Sequence, residues 1–164
     1  MKVVAFRARM SHRVDQAMST SDRRSFNERN IAEFRANGGQ IPSYGDGPVL
    51  VLSSIGAKSG NQRTNPLMYL ADDHAPNRVY VFASAAGDDK NPDWFSNVLA
   101  HPAALTVEIG NETVAAEAEI LPEPLRSEIF AIQADRHPRY AAYQEKTPRH
   151  IPVIALTLKK DRRS

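Results

Sequence analysis

The run Val49-Leu50-Val51-Leu52 constrains this chain more than any other stretch. Four apolar residues in succession, without polar alternation, fit a strand over Pro48–Ser54 that is buried on both faces. That strand leads into Gly56-Ala57-Lys58-Ser59-Gly60-Asn61-Gln62-Arg63-Thr64. Two glycines there let the backbone turn sharply and approach a ligand closely. Lys58 and Arg63 supply positive charge, Ser59 and Thr64 supply hydroxyl donors, and successive backbone N–H groups in such a turn form a concave anion site. A loop holding a phosphate-bearing ligand is one reading; a solvated basic β-turn has the same composition.

The rest of the chain places this turn in a mostly antiparallel β framework. Leu67–Leu70 and Arg78–Ser84 (Val79, Tyr80, Val81, Phe82) are expected strands, forming a meander with the first. Asn91 is placed as a cap with Pro92 opening a helix that carries Trp94, Phe95, Val98 and Leu99 and stops before Pro102. Leu105–Ile109 and Thr113–Leu121 flank the hairpin signal Gly110-Asn111. Pro122–Asp135 is expected to be a helix presenting Leu125, Ile129 and Ile132. His137–Gln144 follows as a short helix or loop, and Ile151–Leu158 as the last strand. Ahead of the first strand, Ser25 with Glu28 has capping-box spacing and predicts a helix over Phe26–Ala36, ended by Asn37-Gly38-Gly39. About six strands with helices in the connections suggest an antiparallel barrel with peripheral helices.

Length and composition narrow the function. At 164 residues the chain suits one domain. We divide it into an arginine-rich arm at residues 1–25, a folded core at 26–158 and a basic tail at 159–164. The arm carries Arg7, Arg9, Arg13, Arg23 and Arg24. It reads as a loosely packed terminus, a cover over the ligand site, or a segment in peripheral contact with a membrane surface. A net charge of +2 suits an anionic small ligand; scattered basic residues without aromatic stacking platforms argue against nucleic acid. With no cysteine, thiolate metal sites, disulfides and Cys nucleophiles are excluded, and the five histidines lack ligand spacing, so no metal is expected. Absent too are a nucleophile elbow, a Walker loop and a dinucleotide fingerprint. Cysteine-free composition and the lack of a membrane-length apolar run fit a cytoplasmic protein. Enzymatic chemistry, if present, belongs to a bound cofactor.

Three separated runs agree in order and spacing with one family. GPVLVLSSIGAKSGNQRTNPLMYL (Gly47–Leu70), VFASAAGDDKNPDWFSNVLAHP (Val81–Pro102) and HPRYAAYQEKTPRHIPVIAL (His137–Leu156) resemble the deazaflavin-dependent nitroreductases. These are split β-barrel proteins, akin to the FMN-binding barrels, that bind coenzyme F420. The resemblance implies an F420-dependent oxidoreductase that transfers hydride between the deazaflavin and an electrophilic acceptor: a quinone, an enone or a nitro compound.

It also implies roles. Lys58, Ser59, Gly60, Gln62, Arg63 and Thr64 would surround the cofactor's phosphate and lactyl tail; the planar fork of Arg63 suits bidentate phosphate contact. Pro66, Leu67 and Met68 would line the ring. Ala83, Ser84, Ala85, Ala86 and Gly87 would pass close to the cofactor, and Lys90, Trp94 and Asn97 would complete that wall. Tyr140 and Tyr143, three apart on one helical face, would meet the acceptor, with Ser84 a third hydroxyl at the reacting centre. An aromatic such as Trp94 on an amphipathic helix also suits a core position. One departure stands out: Ala85 and Ala86 occupy positions where the family usually has a glycine pair, preceded by a polar or basic residue. Other readings are an FMN-binding split-barrel oxidoreductase and a non-catalytic F420 carrier or sensor. A monomer and a homodimer are both compatible with the sequence.

Overall fold

The computed structural model describes residues 20–45 and 47–159. Most of the arginine-rich arm, residues 1–19, and residues 160–164 of the tail lie outside it. Seven antiparallel strands form one sheet: β1 (Val49–Ile55), β2 (Gln62–Met68), β3 (Leu70–Ala71), β4 (Arg78–Phe82), β5 (Leu105–Ile109), β6 (Glu112–Ile120) and β7 (Val153–Leu158). Their order is β2-β1-β5-β6-β7-β4-β3. Among the described residues four α-helices attend it: α1 (Thr20–Ala36), α2 (Asp93–Ala100), α3 (Leu125–Arg136) and α4 (Arg139–Lys146).

The expected three-strand meander does not form, because its middle strand is split. The strand after the basic turn begins at Gln62 and is interrupted at Tyr69, so β2 pairs with β1 while β3 pairs with β4. Because β2 and β3 are nearly contiguous yet lie at opposite edges of the sheet, the sheet must curl until those edges approach. Residues of β2 and β4 do come together. A curled sheet with closely approaching edges is the split-barrel arrangement.

Both faces of the central strands are covered. Val49 and Val51 of β1 join a cluster with Ile31 and Phe34 of α1, Phe130 of α3 and Tyr140 of α4. Leu50 and Leu52 point the other way, into a cluster with Trp94, Phe95 and Val98 of α2. Burial on both sides is why β1 reads as an uninterrupted apolar run.

Three helix expectations are corrected. Pro92 itself stands at the N-cap of α2 without a side-chain cap, and Asn91 Oδ1 instead accepts from Arg149 at 2.8 Å. α1 spans Thr20–Ala36, so Ser25 and Glu28 lie inside the helix and do not cap it. Its end is as expected: the Gly39 N–H donates to the Phe34 carbonyl at 2.8 Å and Gly38 has φ +66°, a Schellman closure. On α3, Leu125 and Ile132 are exposed, and Phe130 and Gln133 face inward instead. Arg126 fixes this rotation: it stacks on Phe130 and donates to the Ile151 carbonyl at 2.7 Å.

Candidate cofactor and acceptor site

The basic turn is built by its glycines and one serine. The Gly56 N–H donates to the Asn61 carbonyl at 2.7 Å, and the Gly60 N–H to the Gly56 carbonyl at 2.9 Å. Ser59 Oγ accepts the Asn61 N–H at 3.1 Å, leaving its own O–H free to donate. A Cβ at Gly56 would fall 2.6 Å from that Oγ and displace it from the Asn61 N–H, and Gly60 has φ +74°, a conformation that favours glycine. Lys58, Ser59, Gly60 and Gln62 are exposed, and Arg63 and Thr64 are partly covered. Neither Lys58 nor Arg63 has an anionic partner among the described residues. Asn97 of α2, itself buried, accepts the Ala57 N–H through Oδ1 at 2.9 Å and ties the turn to that helix.

Ser84–Gly87 forms the second loop, and its path is left-handed. Ala85, Ala86 and Gly87 have φ of +47°, +54° and +83°. Two successive alanines in this region store strain on the order of 1 kcal/mol or more each. Only surroundings that over-determine the path sustain it. Gly87 lies so close to α4 that a Cβ would fall 2.8 Å from the Tyr143 carbonyl oxygen. Lys146 Nζ donates to the Ala86 carbonyl at 3.1 Å. Arg149, half-buried and absent from the sequence-derived set, donates to the carbonyls of Ala83 and Ser84 at 3.1 and 2.9 Å and of Asp88 at 2.8 Å. Burial pushes its guanidinium below the ordinary arginine value, opposed by the nearby Asp88 and Asp89. Nothing local in the sequence marks it, because its partners lie more than fifty residues earlier.

The aromatic group lies on the α4 side. Tyr140 is buried edge-on against Phe82 at 5.6 Å and against half-buried Tyr143 at 5.3 Å. Burial and then Tyr143 push the Tyr140 hydroxyl up to about 12, so it stays protonated and can donate a hydrogen bond. The Gln133 amide is close enough to hold that rise in check, yet neither of its polar atoms makes a hydrogen bond of regular geometry among the described residues. Fully buried, it leaves polar capacity beside the tyrosine for a water or ligand atom. Met68 belongs to the same apolar cluster. A Cβ at Gly47 would collide with Met68 Cε and meet His137 Cε1 at 3.2 Å, so the end of β2 reaches the α3–α4 junction.

The pleat sorts the ring-lining residues. Pro66 and Met68 lie opposite Val51 and Val49 and share the tyrosine side, whereas Leu67 lies opposite Leu50. Leu67, Ala83 and Trp94 pack in the α2 cluster, with Trp94 edge-on to Phe95 at 6.4 Å. Lys90 is exposed on the connection to α2. The structure therefore brings Pro66, Met68, Tyr140 and Tyr143 to one face, Leu67, Ala83 and Trp94 to the other, and links the basic turn to the second group through Asn97. Among the described residues no cluster of His, Asp or Glu could hold a metal, and no helix is long and apolar enough to cross a membrane.

A curled antiparallel half-barrel with a cationic turn and a left-handed loop defines a cofactor-binding split barrel. Comparison with known proteins makes this specific: residues 26–158 match the F420H(2)-dependent quinone reductase family model, and the chain belongs to that family. It is 33% identical over 131 residues to an F420H(2)-dependent quinone reductase of Mycobacterium tuberculosis, covering 77% of this chain and 85% of that protein. It is also similar to the structure of an F420-H2 dependent reductase, at 34% identity and TM-score 0.59, over 66% of this chain and 93% of the other. A third relative, solved as a domain-swapped dimer, has 31% identity and TM-score 0.61 over 84% of this chain and 99% of its own.

Proposed function

We infer that this protein is an F420-dependent oxidoreductase acting on an electrophilic small molecule of the quinone class. The observation that carries the reading is the pair of cations, Lys58 and Arg63, without an anionic partner among the described residues, on a glycine-built turn within a chain of this family. Such a turn fits the phosphate and acidic tail of coenzyme F420: charge-assisted donors converge where the cofactor carries its negative charge. The left-handed Ser84–Gly87 loop supports it from the neighbouring strand end, where only small side chains, Ser84, Ala85 and Ala86, stand beside the site.

When bound, the reduced deazaflavin supplies the hydride. The chain's own residues position and exclude. Lys58, Ser59, Gln62, Arg63 and Thr64 would hold the tail, with Asn97 keeping the turn in register through the Ala57 N–H. Pro66 and Met68 would offer an apolar wall on the tyrosine side. Tyr140 stays protonated at working pH, and with Tyr143 and Ser84 it would present hydroxyl donors to the acceptor oxygen that gains charge as it is reduced. No side chain is assigned as an essential base. Enones and nitro compounds meet the same requirement, an electron-poor carbon or nitrogen beside a hydrogen-bond acceptor.

The relative solved as a domain-swapped dimer supports testing a homodimer first. The cysteine-free composition supports a cytoplasmic location. The function is tested by steady-state oxidation of reduced F420 with a menadione-type quinone and a nitroaromatic. Turnover with the quinone is expected; binding of cofactor without turnover across the panel would favour a carrier.

A further inference from the structure

Arg149 makes four hydrogen bonds into one short segment, and their arrangement is that of a clamp. Nη1 donates both to the Ala83 carbonyl at 3.1 Å and to Asn91 Oδ1 at 2.8 Å. Nη2 donates to the Ser84 carbonyl at 2.9 Å and Nε to the Asp88 carbonyl at 2.8 Å. The two ends of the left-handed turn are thus pinned to a single planar group, with Ala85, Ala86 and Gly87 spanning the gap between them. A guanidinium can do this because its donors diverge in a fixed fork; an ammonium at the same place offers three donors from one point.

The clamp matters more here than it would in a glycine loop. Glycine enters the left-handed region freely, whereas alanine resists it. With alanines at positions 85 and 86, the path must be held from outside, and Arg149 is the residue that reaches both flanks. Its anchor is secure: the following residue but one, Ile151, is fully buried, and its N–H donates to Gln144 Oε1 at 3.1 Å. Gln144 in turn donates to the Arg149 carbonyl at 2.7 Å and belongs to α4, which bears Tyr140 and Tyr143.

We propose that Arg149 is the positioning residue that holds Ser84–Gly87 in its left-handed path, and thereby sets the cofactor-facing loop against the tyrosine-bearing helix. The cofactor part of this inference rests on the F420 reading; the clamp itself does not. Two hydrogen bonds report on the clamp in the free protein, from the Gly87 N–H to the Ser84 carbonyl and from the Asp88 N–H to the Ala85 carbonyl, at 2.8 and 3.0 Å.

The test compares Arg149→Met and Arg149→Lys, each in the natural sequence and in the Ala85→Gly/Ala86→Gly background. Amide exchange in the cofactor-free protein should rise at least about tenfold at Gly87 and Asp88 in both Arg149 variants, while Ile154 and Leu156 of β7 keep their protection. F420 affinity should fall about tenfold in Arg149→Met, with little recovered by lysine, and this loss should shrink several-fold in the glycine background. Unchanged exchange at Gly87 and Asp88, or an equal affinity loss in both backgrounds, would overturn the clamp. Should Arg149→Met fail to fold, the lysine variant and its exchange pattern carry the decision. If the natural protein does not bind F420 at all, the functional reading falls, and the exchange measurement still decides the role of Arg149.

Discussion

Asn97 Oδ1 accepts the N–H of Ala57 at 2.9 Å across forty residues of sequence, joining helix α2 to the turn that carries Lys58. Among the described residues the turn's other hydrogen bonds are its own, so this contact sets where Lys58 stands, while Arg63 is placed by the pairing of β2 with β1. Asn97→Leu should cost about 1 kcal/mol of stability. It should also weaken F420 binding roughly fivefold, the equivalent of that energy. Thermal unfolding and a fluorescence titration measure the two. An unchanged affinity would mean that the turn is ordered without α2.

Removing the cation itself should act more strongly on binding and less on folding. Arg63 lies on β2 opposite Ser54 and bonds to no acidic residue among the described ones. Arg63→Ala should raise the F420 dissociation constant by roughly 10- to 150-fold, the equivalent of about 1.5–3 kcal/mol for charge-assisted contacts. The unfolding midpoint should stay near the natural value. Raising the salt concentration should narrow the difference between variant and natural protein.

Tyr140 gives a prediction at high pH. Its hydroxyl rises from 10.0 in the ordinary case to about 12, chiefly by burial. The folded state therefore keeps a proton that the unfolded chain has lost. The associated stability is intact below about pH 10 and disappears as pH rises to about 12. Tyr140→Phe keeps the ring packing against Phe82 and should remove about 1.4 kcal/mol per pH unit of the decline across that window. Urea unfolding at a series of pH values would show it. Tyr143→Phe, at a half-buried position, should lower kcat for quinone reduction more than it changes F420 affinity.

Gly87 is fixed from two directions: φ is +83°, and a Cβ would press on the Tyr143 carbonyl oxygen. Since the opposing atom is backbone, α4 must move to admit a methyl group. Gly87→Ala should cost about 1–3 kcal/mol, and it should raise KM for the quinone by displacing Tyr143. A variant with natural stability and kinetics would show that α4 and the loop are not coupled.

Much of the framework was legible because local sequence decides it. Val49–Leu52 reads as a doubly covered strand, Gly110-Asn111 turns between Ile109 and Glu112, and Gly38-Gly39 closes α1. What escaped was decided at a distance. Tyr69 looks like one more strand residue, yet the chain passes there from one edge of the sheet to the other. Leu125 and Ile132 have helical spacing, but Phe130 and Gln133 take the inner face, and a buried glutamine leaves no mark in an apolar pattern. The motifs brought the basic turn, the alanine loop and the tyrosines to attention together. They did not disclose that β-pleat alternation separates Leu67 from Pro66 and Met68, nor that Arg149 supports the loop.

The role proposed for the basic turn and its neighbouring loop is to form a site for coenzyme F420. Equilibrium titration of the purified protein with F420 and, separately, with FMN is the decisive measurement. Saturable binding of F420, weakened by Arg63→Ala, with FMN binding much more weakly, is the expected result. Tight binding of FMN with no response to F420 would contradict the account.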